Sequence, residues 1–118
     1  MKHLFLIFIV FSLTLTIRAQ KKYELKFKDY FLKVENRPFE HTIVNGSIII
    51  DTINKKISFK GIKGRDFSYV QSWKDKYFYY YANIEIGQLM IAEDEKYARL
   101  ELTNGTEITT EFHNLNKN

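Results

Sequence analysis

The chain has 118 residues, no cysteine, one proline and a formal charge of +4 from 18 Lys and Arg against 14 Asp and Glu. Without cysteine there is no disulfide framework, so stability must come from a hydrophobic core. A chain of this length supports one domain with one modest core.

The start, Met1-Lys2-His3, is short and basic, and Leu4 to Leu15 is apolar except for Ser12 and Thr14. Thr16-Ile17-Arg18-Ala19 then leads to polar Gln20-Lys21-Lys22. This is the layout of a secretory signal peptide cleaved after Ala19, although Ile17 is larger than the small residue preferred there. The rival reading is an uncleaved anchor. The 14 residues from Leu4 to Ile17 make a helix of about 21 Å, short of the ~30 Å hydrocarbon core. The sequence therefore predicts a signal peptide over 1–19 and a single exported β-domain over 20–118, periplasmic or extracellular, touching the membrane only through its leader. Lys2 and Arg18 leave with the leader, so 16 basic residues face 14 acidic ones in the mature chain. That small excess, scattered along the chain, argues against nucleic acid as a partner.

Tyr23 to Lys28 alternates, with Tyr23, Leu25 and Phe27 on one face and Glu24, Lys26 and Lys28 on the other, as in a half-buried strand. Tyr30 to Val34 breaks that phase and predicts a bulge near Asp29-Tyr30 or a new strand. Asn36-Arg37-Pro38 is a break. Phe39 to Val44 reads as a short strand running into a turn at Asn45-Gly46. The run from Gly46 to Gly61 reads as a hairpin. Its parity favours a four-residue loop, Ile53 to Lys56, with Thr52 opposite Ile57 and Ile50 opposite Phe59. Ile49 then faces the other side, which implies cover on both faces or an apolar outer patch.

Ile62 to Asp66 reads as a loop, Phe67 to Ser72 as a strand, and Trp73 to Lys76 as a charged connection. Tyr77 to Ile86 is the next strand, ended by Gly87. Gln88 to Ala92 follows, then an acidic turn at Glu93-Asp94-Glu95-Lys96. The last hairpin joins Tyr97–Leu102 to Thr106–Phe112 through Asn104-Gly105. A three-residue loop would pair Leu102 with Thr106 and Leu100 with Ile108, placing Gly105 in the left-handed region as a bulge. Asn114 to Asn118 reads as a frayed end. No helical stripe follows residue 20. The expected fold is therefore all-β: an antiparallel meander of about eight short strands closing into a small barrel or sandwich.

Candidate chemistry is sparse. A catalytic or metal reading needs His41 and His113 adjacent with carboxylates near, and ordinary surface histidines are the simpler account. The sequence has no nucleophile elbow, zinc-helix motif or phosphate loop, so the reading is of no catalytic residue, metal or cofactor. Glu93-Asp94-Glu95 lacks the spacing of a Ca²⁺ loop. The aromatic run is richer. Tyr77, Tyr79 and Tyr81 share one strand face, Phe78, Tyr80 and Ala82 the other, and Trp73 stands just before them. These rings either fill the core or line a face that takes a ligand. Trp73, Tyr77, Tyr79 and Tyr81 are the candidate ligand-binding residues.

Ala19-Gln20, the Gly46-to-Asp51 run extended by Lys56-Ile57, and the tyrosine-rich strand together resemble a loose group of uncharacterised small exported bacterial β-proteins. The meander also resembles a small lipocalin-like barrel, without the Gly-x-Trp motif near the mature start. The resemblance implies a β-barrel and transfers no site residue. The functional expectation is a non-enzymatic exported binding domain. It would dock a small apolar or glycan ligand, or an envelope protein, on an aromatic-lined face. The alternative is an envelope structural or assembly component; a carboxylate-based hydrolase comes third.

Overall fold

The computed structural model describes residues 22–117. The predicted signal peptide and its cleavage site lie outside the described residues. The described chain is all-β and antiparallel, with nine strands and no helix. These are β1 (Lys22–Val34), β2 (Glu40–Asp51), β3 (Lys56–Lys60), β4 (Phe67–Ser68), β5 (Gln71–Lys74), β6 (Phe78–Asn83), β7 (Gly87–Ala92), β8 (Ala98–Leu102) and β9 (Ile108–Phe112). They form one sheet in the order β4-β3-β2-β1-β9-β8-β7-β6-β5.

That order forces the sheet to curl. Nine strands laid flat would set the two edges ~38 Å apart at ~4.8 Å per strand. Yet the edges, β4 and β5, are joined by Tyr69 and Val70 alone, a reach of about 10 Å. The segment runs on as one bent strand that changes partner. The Tyr69 amide donates to the Lys55 carbonyl at 3.0 Å, and the Val70 amide to the Ala82 carbonyl at 2.9 Å. The result is a barrel-like sheet whose seam lies along β4 and β5.

The inner face carries the alternation expected from the sequence. Leu25 and Phe27 of β1, Ile48 and Ile50 of β2, Ile57 and Phe59 of β3, Leu89 and Ile91 of β7, Ala98 and Leu100 of β8, and Phe112 of β9 are all buried. Phe112 meets Phe27 at 4.8 Å and Phe59 at 6.0 Å between ring centroids, so the middle of the barrel is filled by rings. Ile49, on the outer face, is half-buried.

Several local expectations need correction. Asn45-Gly46 is not a turn but lies inside β2. The β1–β2 register shifts between Phe27 and Asp29, a bulge one step from the predicted place. Gly46 is required there because a Cβ would lie 2.2 Å from the Lys60 carbonyl oxygen and 2.4 Å from the Phe27 ring. The β2–β3 loop does hold four residues, but they are Thr52 to Lys55. Asp51 pairs with Lys56, Ile50 with Ile57 and Ile48 with Phe59. Asp51 draws the turn back by one residue. Its Oδ1 accepts from the Ile53 and Asn54 amides, and its Oδ2 from the Asn54 side chain. Lys55 takes the left-handed conformation, φ 53°.

Likewise Leu102 pairs with Ile108 and Leu100 with Thr110, so the β8–β9 loop is Thr103 to Glu107. Its flanks are held by residues just outside β7 and β1: the Thr103 amide donates to the Ile86 carbonyl, and the Glu107 carbonyl accepts from the Glu35 amide. Gly105 does take a positive φ, 145°, but within this five-residue loop rather than as a bulge of a three-residue one. Trp73 belongs to β5 rather than to a connection. The C-terminal segment is pinned rather than frayed. Leu115 is buried, and Asn116 and Lys26 exchange backbone hydrogen bonds of 2.7 and 2.9 Å.

Candidate functional site: a tyrosine-lined cleft at the seam

β5 pairs with β6 on one side, and its four residues are exposed throughout. Its other edge faces the Thr52–Lys55 turn, because β4 stops pairing with β3 at Lys56–Ser68. The gap between them is a cleft of about 380 Å³. Trp73, Tyr79, Tyr81, Tyr69 and Tyr80 line it, with Thr52, Ser72, Lys55 and Lys74 supplying the remaining walls. A volume of this order suits a small ligand.

Three of the four sequence candidates meet here, from two different faces. Tyr81 points inward and is buried, Tyr79 is half-buried, and Trp73 lies on the outer face at 46% exposure. Cross-strand register explains the split: Trp73 sits opposite Tyr80, while Ser72 sits opposite Tyr81 and Lys74 opposite Tyr79. The cleft wraps the edge strand, so residues of both faces reach it. Tyr77 stands apart. It precedes β6, is 63% exposed, and lines a separate open hollow with Phe78, Ala92, Glu93 and Asp94.

The aromatic walls are held from behind. The Trp73 and Tyr80 rings stack at 4.9 Å and 10°. The Tyr80 hydroxyl donates to Asp75 Oδ2 at 2.6 Å, while Asp75 Oδ1 accepts from the Tyr77 and Phe78 amides. Those bonds, the Tyr80 hydroxyl first, hold the Asp75 carboxyl below its ordinary value and push the Tyr80 phenol up. On the inner side Tyr69 meets Tyr81 edge-on at 5.0 Å. The Tyr23 and Tyr81 hydroxyls lie 2.8 Å apart. Burial raises the Tyr23, Tyr69 and Tyr81 phenols above the usual tyrosine value. Two ammonium groups sit on rings at the same end: Lys74 Nζ lies 5.4 Å from the Tyr79 centroid and Lys117 Nζ 5.3 Å from that of Tyr23. Such pairs are worth ~0.5–1 kcal/mol when exposed.

Sequence reasoning missed Tyr69, Tyr80, Lys55, Thr52 and Ser72 as site residues. Tyr69, in the segment read as one strand from Phe67 to Ser72, is buried on the inner side. No local signal, however, brings the β2–β3 turn against β5, since that neighbourhood comes from the closing of the sheet.

The histidines are brought closer than expected. His41 stacks on Phe31 at 4.5 Å and His113 meets the same ring edge-on at 5.5 Å. His41 Nε2 lies 2.7 Å from Asp29 Oδ2, and His113 Nε2 3.5 Å from Glu111 Oε2. Both histidines are exposed on the outer face, and no group of three or more metal-ligating side chains forms among the described residues. Glu93 and Glu95 of the acidic turn engage Lys74 at 3.8 Å and Lys117 at 3.3 Å. No protein-family model, no curated protein and no solved structure matches the chain.

Proposed function

We propose that the protein is an exported, non-enzymatic binding domain that docks a small ring-bearing ligand of saccharide type in the seam cleft. The observation that carries this reading is the lining itself. Five aromatic rings and two short hydroxyl side chains surround about 380 Å³ beside the edge of β5 that pairs with no strand among the described residues. Flat rings supply apolar contact for the faces of a sugar ring, and phenol, threonine and serine hydroxyls supply polar fixing points.

Trp73 is the sole tryptophan, so its fluorescence reports directly on occupancy. Titration with a panel of oligosaccharides is expected to shift or quench it. Trp73→Ala is expected to lower affinity at least ~10-fold by calorimetry while costing under about 1 kcal/mol of stability, since the side chain is half-exposed. A large loss of stability with unchanged affinity would assign Trp73 to structure instead.

One observation favours the alternative, an envelope assembly component: the exposed, unpaired edge of β5 is a template for strand addition. Light scattering separates the two. Growth of the particle with concentration supports assembly, and a strict monomer counts against it.

A further inference from the structure

The cleft has a charge preference. Its two ionisable non-phenolic lining residues are both lysines, Lys55 and Lys74, and no carboxylate lines it. Of the carboxylates nearby, Asp51 and Asp75 are oriented by neutral donors of their own turns and keep their charge, and Glu93 shares Lys74 at 3.8 Å, which leaves Lys55 as the lining lysine with no carboxylate partner. Lys55 has no carboxylate within ion-pair distance among the described residues.

The backbone at Lys55 adds a second, independent indication. A non-glycine residue with φ near +53° is uncommon, and a turn that needed only its shape would be better served by glycine or asparagine. Lysine stands there instead, tied to the seam by the Tyr69 amide on its carbonyl. Lys55 thus stands at the cleft in a backbone conformation that glycine or asparagine would adopt more easily.

Resting on the docking reading above, we infer that the ligand is an acidic saccharide, whose carboxylate is met by Lys55 and Lys74 and whose ring lies against Trp73 and the tyrosines. A Lys ammonium binds such a group as a flexible point charge, so the contribution is electrostatic and salt-sensitive.

The probes are a uronic acid trisaccharide and its fully methyl-esterified form, in which a neutral methyl ester replaces each carboxylate. The acid is expected to bind at least ~10-fold more tightly at low ionic strength, with the gap closing at ~1 M salt, where the Debye length is ~3 Å. Lys55→Gly is expected to raise the melting temperature, because glycine accepts the left-handed turn, while removing most of the preference for the acid. Lys74→Gln is expected to reduce it further. Equal binding of acid and ester would overturn the charge preference and leave the docking reading standing. Failure of both probes up to ~10 mM, a free energy of only ~3 kcal/mol, would overturn both.

Discussion

Phe112→Ala is expected to cost about 4 kcal/mol of folding free energy, the largest loss from any single side-chain truncation in this barrel. The ring is fully buried. It sits on β9 between β1 and β8, and Ala98 stands directly opposite it. That small partner makes room for the ring to cross the interior and touch Phe27 at 4.8 Å, Phe59 at 6.0 Å and Tyr30 at 6.2 Å. Truncation removes the contact that joins β1, β3 and β9 at one point. The surrounding rings are held by two different strands, Phe27 and Tyr30 by β1 and Phe59 by β3, and cannot collapse into the space, which is the condition under which cavity costs are highest. Domains of this size have only ~5–15 kcal/mol in hand, so the variant should sit near the limit of folding. Urea denaturation measures it, with Phe112→Leu as a control that keeps most of the volume and should lose under ~1.5 kcal/mol. A loss below about 1 kcal/mol for the alanine variant would mean that the centre is not organised around this ring.

Phe112 also illustrates how much of the fold could be read in advance. Inner and outer residues were legible because strand parity is a local property, and the buried set follows it from Leu25 to Phe112. Registers were less legible. Both hairpins pair two residues away from the expected positions, and a shift of two keeps every side chain on its face. The deciding contacts were not visible in the pattern. The Asp51 carboxylate gathers the β2–β3 turn, and the turn residues Ile86 and Glu35 bond the ends of the β8–β9 loop. Asn45-Gly46 misled because glycine marks both turns and places of close approach. Here the second meaning holds, with the Lys60 carbonyl and the Phe27 ring pressed against Cα.

The site was half legible for the same reason. Aromatic density marked Trp73, Tyr79 and Tyr81 as a group, and they do share a cleft. They share it by wrapping an edge strand rather than by lying on one face. Only the sheet order, with β4 and β5 at opposite ends, makes β5 an edge and sets the Thr52–Lys55 turn across from it.

That inner tyrosine cluster sets the protein's behaviour in alkali. Burial is the leading cause that raises the Tyr23, Tyr69 and Tyr81 phenols, against an unfolded value of about 10. The hydroxyl contact raises Tyr23 and lowers Tyr81, as it must if Tyr23 donates. Because the folded state holds these protons more tightly than the unfolded chain, their contribution to stability is complete below pH ~10. It is lost as pH climbs through the folded values. Phenolate absorbance should therefore rise in two phases, the later one coinciding with loss of the β-sheet circular dichroism. Tyr23→Phe should shrink the later phase by one phenol and cost about 1 kcal/mol at neutral pH, from one hydrogen bond. A single phase near pH 10 with the sheet signal intact would mean that these hydroxyls are open to water.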